Sequence, residues 1–248
     1  MRPTGDIQSC FPTGRHYPGI AHLLRIVASG LADEFGGDIG FADIPLVAID
    51  TETTGRDPAV DRIVEIACVI GVGGRVVERR SWLVNPGCPI PKEAFDVHGI
   101  CDDDVRDKPS FAEIAAELAQ VLEGRLPVAY NAEFDKEFLA AELARLATAP
   151  ARPAPAARRQ VEWVDPLVWA RELQHEEKSR ALVDVCGRLG IELVRAHRAA
   201  DDAEAALRVL FAFAADVRVP RTYAAFVQEQ KRLARDMDEE RQRWRRPS

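Results

Sequence analysis

The sequence predicts an α/β layer fold built on a mixed sheet. Three observations carry that expectation. An apolar run of strand length spans 45–50. A β-branched run at 63–70 and an alternating run at 75–84 flank Gly71-Val72-Gly73-Gly74 and read as a β-hairpin. Beyond residue 90, helical periodicity alternates with short apolar stretches.

The bulk numbers agree with a folded domain. A chain of 248 residues holds one large domain, or a domain with extensions. Its hydrophobic fraction of 47% and charged fraction of 29% are ordinary for a soluble globular protein. The net charge of −7 excludes a basic nucleic-acid coat. It does not exclude a nucleic-acid enzyme, because metal can mask clustered acids. The five cysteines are scattered and form no C-x-x-C, which argues against a disulfide framework and a zinc site. No apolar run reaches membrane-spanning length, and the N-terminus lacks a signal-peptide pattern. A soluble, cytoplasmic protein with no membrane partner is expected.

Taken in order, residues 1–18 are rich in Pro, Gly and polar residues and predict irregular chain. Ile20, Leu23, Leu24, Val27 and Leu31 recur at helical spacing, so 19–35 is expected to be an amphipathic helix ending at Gly36-Gly37. The first strand follows at 45–50, then the hairpin. Residues 92–101 predict a short helix and a turn. Ser110 and Glu113 fit a capping box for a helix to Leu122. Leu126 to Tyr130 reads as a strand, with Asn131 as N-cap of a helix over 132–147. Residues 148–160, with three prolines, predict a mobile, solvent-exposed loop. Val161 to Val164 reads as a last strand, and Asp165-Pro166 opens a helix through Leu173. Further helices are expected at 180–189, 199–215 and 222–246. The last carries a narrow stripe of Tyr223, Phe226, Val227, Leu233, Met237 and Trp244. That stripe suits packing along the domain's own edge or docking to a partner. Arg241, Arg243, Arg245 and Arg246 suit a solvated face or a phosphate backbone.

Polar residues break this pattern in four places. In Ile49-Asp50-Thr51-Glu52-Thr53-Thr54-Gly55, Asp50 and Glu52 project from the same side of a strand. Two neighbouring carboxylates at a buried strand end repel, and a hard divalent cation would reverse the sign. Asp135 lies on the helical stripe of Phe138, Leu139, Leu143 and Leu146. It reads either as a first-turn acid favoured by the helix dipole or as a ligand. In His197-Arg198-Ala199-Ala200-Asp201-Asp202, Asp202 shares a face with Ala206, Val209 and Phe213 and points inward. Asp201 joins Glu204 and Arg208 on a polar face. His197 and Asp202 can reach one site only if His197 precedes the helix. His98, in Val97-His98-Gly99-Ile100, reads on its own as a surface loop histidine. Four acids from three elements suffice for two divalent ions, and an imidazole suits a general base near neutral pH.

The order Asp-x-Glu, Asn-x-x-x-Asp, His-x4-Asp resembles the DEDDh 3′–5′ exonucleases, which include the proofreading (epsilon) subunit of bacterial DNA polymerase III. Val164-Asp165-Pro166-Leu167 and Leu189-Gly190-Ile191 support it, and the resemblance covers roughly 45–215. It implies an RNase H-like fold: a five-stranded mixed sheet with the second strand antiparallel, flanked by helices. It implies that Asp50, Glu52 and Asp202 hold one metal, that Asp135 supports a second, and that His197 is the general base. The two ions would be Mg2+ or Mn2+. Thr51, Thr53 and His98 would lie near the 3′-terminal nucleotide, and Asn131 and Phe134 near the strand leading to it. Tyr130 stands where many relatives carry His. The expected organisation is an extension with one helix at 1–44, a 3′–5′ exonuclease domain at 45–216 and a charged helix at 217–248. The expected function is hydrolysis at 3′ ends of DNA, single-stranded above all, in proofreading or repair and beside a DNA polymerase partner. RNA 3′-end trimming by the same site, or a non-catalytic polymerase-associated adaptor, are the alternatives.

Overall fold

The computed structural model describes residues 29–147, 153–193 and 198–245, with 240–245 described as backbone only. Strands β1 (Leu46–Thr53), β2 (Ile63–Val72), β3 (Arg75–Leu83) and β4 (Leu126–Val128) form one sheet in the order β3-β2-β1-β4. β2 runs antiparallel to both β1 and β3, and β4 runs parallel to β1. The helices are α1 (Lys92–His98), α2 (Asp102–Val105), α3 (Phe111–Leu122), α4 (Glu133–Ala144), α5 (Pro166–Leu173), α6 (Leu182–Leu189), α7 (Ala199–Ala214) and α8 (Tyr223–Arg245).

Alternation along β1 divides the core. Leu46 and Ala48 face one layer, with Leu207 and Leu210 of α7. Val47 and Ile49 face the other, with Leu118 of α3 and Phe138 and Leu139 of α4. The sheet is therefore covered on both faces. β4 pairs with β1 only from Leu46 to Ala48. Past that point the β1 edge is open on its β4 side, and the acids of β1 emerge there.

The sheet has four strands where five are expected. The Val161 to Val164 segment is reduced to a single parallel bridge, Val128 to Val164. Asp165-Pro166 follows at once, and proline has no N–H to extend a ladder. The 19–35 helix also differs. Residues 19–28 lie outside the described residues, and 29–35 form turns. There Gly30 sits at φ +93° and Ala32 N–H donates to Tyr223 Oη at 2.8 Å, so contact with α8 sets the local path.

Two loop expectations change as well. Asn131 is not the N-cap of α4. It takes a left-handed φ of 66°, and Ala132 occupies the cap position. Of the 148–160 loop, 148–152 lie outside the described residues, and Pro155–Ala157 form a buried 3-10 turn. Arg158 holds that turn inward by pairing with Asp33 and Glu34. The Ser110 and Glu113 capping box forms as expected. α8 lays Tyr223, Phe226, Val227 and Leu233 into the domain's own core, with Phe226 against Phe41 and Trp169. The Trp244 side chain lies outside the described residues. Among the described residues, no helix is long and apolar enough to cross a membrane.

Candidate active site

β1 runs on through Thr53, so Asp50 and Glu52 are strand residues held by backbone pairing to Ala67 and Glu65 of β2. Their side chains continue the Leu46 and Ala48 face and meet α7. There Asp202, one turn into the helix, completes a group in which carboxylate oxygens of Asp50, Glu52 and Asp202 lie within 4.8 Å of one another. Thr51 projects to the opposite face and donates through Oγ1 to Asp135 Oδ1 of α4 at 2.8 Å. Helices on both faces of the sheet thus deliver acids to the end of one strand, where β4 has stopped.

The electrostatics follow from burial and like charge. Asp50 is raised well above the usual carboxylate range by burial, then by Asp135, Asp202, Glu52 and Glu65. Glu52 rises to about 8, chiefly through burial and then Asp202. Asp135 rises to about 7 through burial, against which the Thr51 hydrogen bond works. Every donor is an oxygen and the charges repel, a set that suits a hard divalent cation.

A cleft of about 770 Å³ opens beside these acids. Thr51, Thr53, His98, Asn131 and Phe134 all line it, together with Glu93 of α1. His98 is buried, not a surface loop residue. Its Nδ1 accepts from Ile100 N–H at 3.0 Å, which leaves the proton of the neutral ring on Nε2. Burial lowers its pKa. In the cleft lining, a Cβ at Gly55 would displace the Asp61 carboxylate. The close approach at Gly55 is made by a side chain.

His197 lies outside the described residues. α7 begins at Ala199 and Arg198 is extended, so the helix does not continue back through Arg198. Asp201 departs from expectation. It is buried, because Arg79 of β3 reaches over it at 3.6 Å while also pairing with Glu204. Glu65 is a site neighbour that the residue pattern hides. It lies opposite Glu52 in register, is 3% exposed, and pairs with Arg198 at 3.4 Å. An acid within a β-branched run, Ile63-Val64-Glu65-Ile66, is the signal that marks it. Glu93 carries no comparable signal, since it lies on a short polar helix.

The comparisons with known proteins agree with this geometry. The exonuclease family model matches residues 47–210. The chain is 33% identical over 180 residues to a PolC-type DNA polymerase III of Thermotoga maritima, covering 71% of this chain and 12% of that protein. It is 32% identical over 171 residues to the DNA polymerase III epsilon subunit of Treponema pallidum, covering 67% of this chain and 74% of that one. A solved structure of exonuclease X with 5′-overhanging duplex DNA superposes with a TM-score of 0.56 at 25% identity, over 74% of this chain and 99% of that one. The chain thus spans a small part of its PolC-type relatives and nearly all of the exonuclease X chain. A family match across two thirds of the chain, on a sheet whose open edge gathers the acids, leads to one conclusion: this protein belongs to the exonuclease family, within the DEDDh 3′–5′ exonuclease superfamily.

Proposed function

We propose that the protein removes nucleotides from the 3′ ends of DNA by hydrolysing the terminal phosphodiester bond. The observation that carries this reading is the convergence of Asp50, Glu52 and Asp202, with Asp135 held next to them by Thr51. Buried carboxylates that raise each other's pKa destabilise the fold unless a cation offsets them. Divalent metal dependence follows, with Asp50, Glu52 and Asp202 holding one ion and Asp135 supporting a second, as Mg2+ or Mn2+. Such ions, when bound, neutralise charge at the scissile phosphate and acidify the attacking water.

The protein's own groups have distinct tasks. His197 takes the proton of the attacking water, a role that suits an imidazole near neutral pH. Thr51, Thr53 and His98 seat the 3′-terminal nucleotide in the cleft, and Asn131 and Phe134 contact the strand leading to it. The names of the relatives, polymerase III epsilon and PolC-type, support a proofreading or repair role beside a DNA polymerase.

The test uses matched single-stranded, duplex and mismatched DNA, plus RNA, labelled at the 3′ or 5′ end, with and without Mn2+. Metal-dependent mononucleotide release from 3′ ends of DNA is expected, faster than from RNA. Asp50→Ala or Asp202→Asn should abolish it, and wild-type activity in either variant would overturn the reading. His197→Ala should cost roughly 10²–10⁴-fold, the usual worth of a general base.

A further inference from the structure

The Trp163–Asp165 segment is the residue of a fifth strand, and its two edges have different partners. On one edge, Val164 N–H donates to Pro127 O at 2.9 Å and Val164 O accepts from Ala129 N–H at 3.0 Å. In extended chain the C=O of one residue and the N–H of the next but one point the same way. Trp163 O and Asp165 N–H therefore face the other edge, where no strand among the described residues lies alongside. Gln230 of α8 takes the place of that strand. Its Nε2 donates to Trp163 O at 2.8 Å and its Oε1 accepts from Asp165 N–H at 2.9 Å. The side chain is 2% exposed, and both ends of its amide are satisfied by this one segment.

Asp165 passes the restraint on. Its carboxylate accepts from Asn131 N–H at 3.0 Å through Oδ1 and from Ala132 N–H at 3.1 Å through Oδ2. Oδ1 also accepts from Leu167 N–H at 2.8 Å and so caps α5. The two residues it grips form the turn that launches α4. Asn131 holds a left-handed φ of 66° there, a turn conformation that asparagine tolerates and that the Asp165 bond fixes in place. Three residues past Ala132 is Asp135, and Phe134 and Asn131 line the cleft. The chain of contacts thus runs from α8 to the acid that approaches Asp50 from the far face of the sheet.

We infer that Gln230 is a positioning residue for the nuclease site: through Asp165 it fixes the Asn131–Ala132 turn, and so makes the C-terminal helix a working part of the catalytic domain. The inference rests on the proposed function for its consequence, but not for its contacts. Gln230 lies outside the 47–210 region that matches the exonuclease family.

The test compares Gln230→Leu with Tyr223→Phe in the full chain. Tyr223→Phe removes a buried hydrogen bond from the same helix, to Ala32, without touching the relay. Amide hydrogen exchange at Asn131 and Ala132, Mn2+ binding without nucleic acid, and melting temperature are measured for each. Gln230→Leu should speed exchange at both amides and weaken Mn2+ binding by roughly fivefold each, about the worth of one net hydrogen bond. Tyr223→Phe should lower the melting temperature and leave both within twofold of wild type. Exchange at Asn131 and Ala132 that stays within twofold in Gln230→Leu overturns the inference, as does an equal change in Tyr223→Phe. If Gln230→Leu does not fold, Gln230→Glu carries the same exchange test, since it loses the donor to Trp163 O and keeps the side chain's length. Absence of Mn2+ binding by the wild type would defeat the proposed function instead, and the exchange result would still decide the relay.

Discussion

At the scale of single residues, Thr51 shows how a strand serves two faces at once. Asp50 and Glu52 point toward α7, and Thr51 points away from them, yet its hydroxyl restrains the acid contributed by α4. The bond stabilises the ionised form of Asp135, whose pKa burial still drives up to about 7. Thr51→Val removes the donor and keeps the shape. Asp135 then becomes a weaker acid, so the acid limb of the pH–rate profile should move to higher pH. A hydrogen bond to a charged group is worth about 1.5–3 kcal/mol, so metal-limited activity should fall roughly tenfold or more. A saturating Mn2+ concentration should recover part of that loss. A pH profile and Mn2+ curve identical to wild type would mean that Thr51 plays no part in holding Asp135.

At the scale of elements, α4 is pinned at both ends. Asp165 holds the turn at its start, and Arg62 grips Glu142 in its last turn. The guanidinium meets Glu142 at 2.7 and 2.9 Å, and Glu142 is 1% exposed. Arg62→Met would strand that carboxylate with only Ile63 N–H at 3.3 Å and Arg145 at 3.5 Å. Breaking a buried pair by removing one partner costs about 3–5 kcal/mol, and partial exposure of Arg62 places this case near the lower figure. For a chain of this size that is a fall of about 6–12 °C in melting temperature, measurable by calorimetry. Elements with their own periodicity or caps are legible in the sequence: β1, the hairpin, α3 with its capping box, and α8. The four candidate acids, on β1, α4 and α7, can be picked out by face and spacing. What spacing cannot carry is contact between distant elements. Asp201 lies on a polar helical face, yet Arg79 of β3 buries it. The Val161 to Val164 run has strand composition, yet Pro166 and the Gln230 amide leave it a single bridge. Asn131 looks like a helix cap, yet the Asp165 carboxylate, a residue 34 positions later, takes over the turn.

At the scale of the whole molecule, the site sets how stability depends on pH and metal. Glu52 is held at about 8 and Asp135 at about 7, against ordinary values of 4.5 and 3.8, and Asp50 is raised with them. Between those limits the folded protein binds more protons than the unfolded chain, so its stability falls as pH rises. The contribution of these acids is fully present below about pH 4 and is lost as pH climbs through 7 and 8. Asp104, Glu113 and Asp216 are held low by hydrogen bonds, and their stabilisation is already complete above about pH 5. His98, lowered by burial, adds stability as pH rises toward its ordinary value, one group against three. The metal-free protein should therefore melt at progressively lower temperature from pH 6 to pH 8. Mn2+ held by the ionised site of the folded state alone, as proposed, should reverse the trend. At a hundredfold excess over its Kd it adds about 2.7 kcal/mol, which raises the melting temperature by about 5–10 °C. Glu52→Gln removes one of the repelling charges. That variant should be more stable than wild type at pH 8 without metal, should show a shallower pH slope, and should gain less from Mn2+. All three effects come from one cluster, so they should appear together in a single set of calorimetric scans. A wild-type melting temperature that rises from pH 6 to pH 8 without metal would show that these carboxylates are not crowded together in the folded protein.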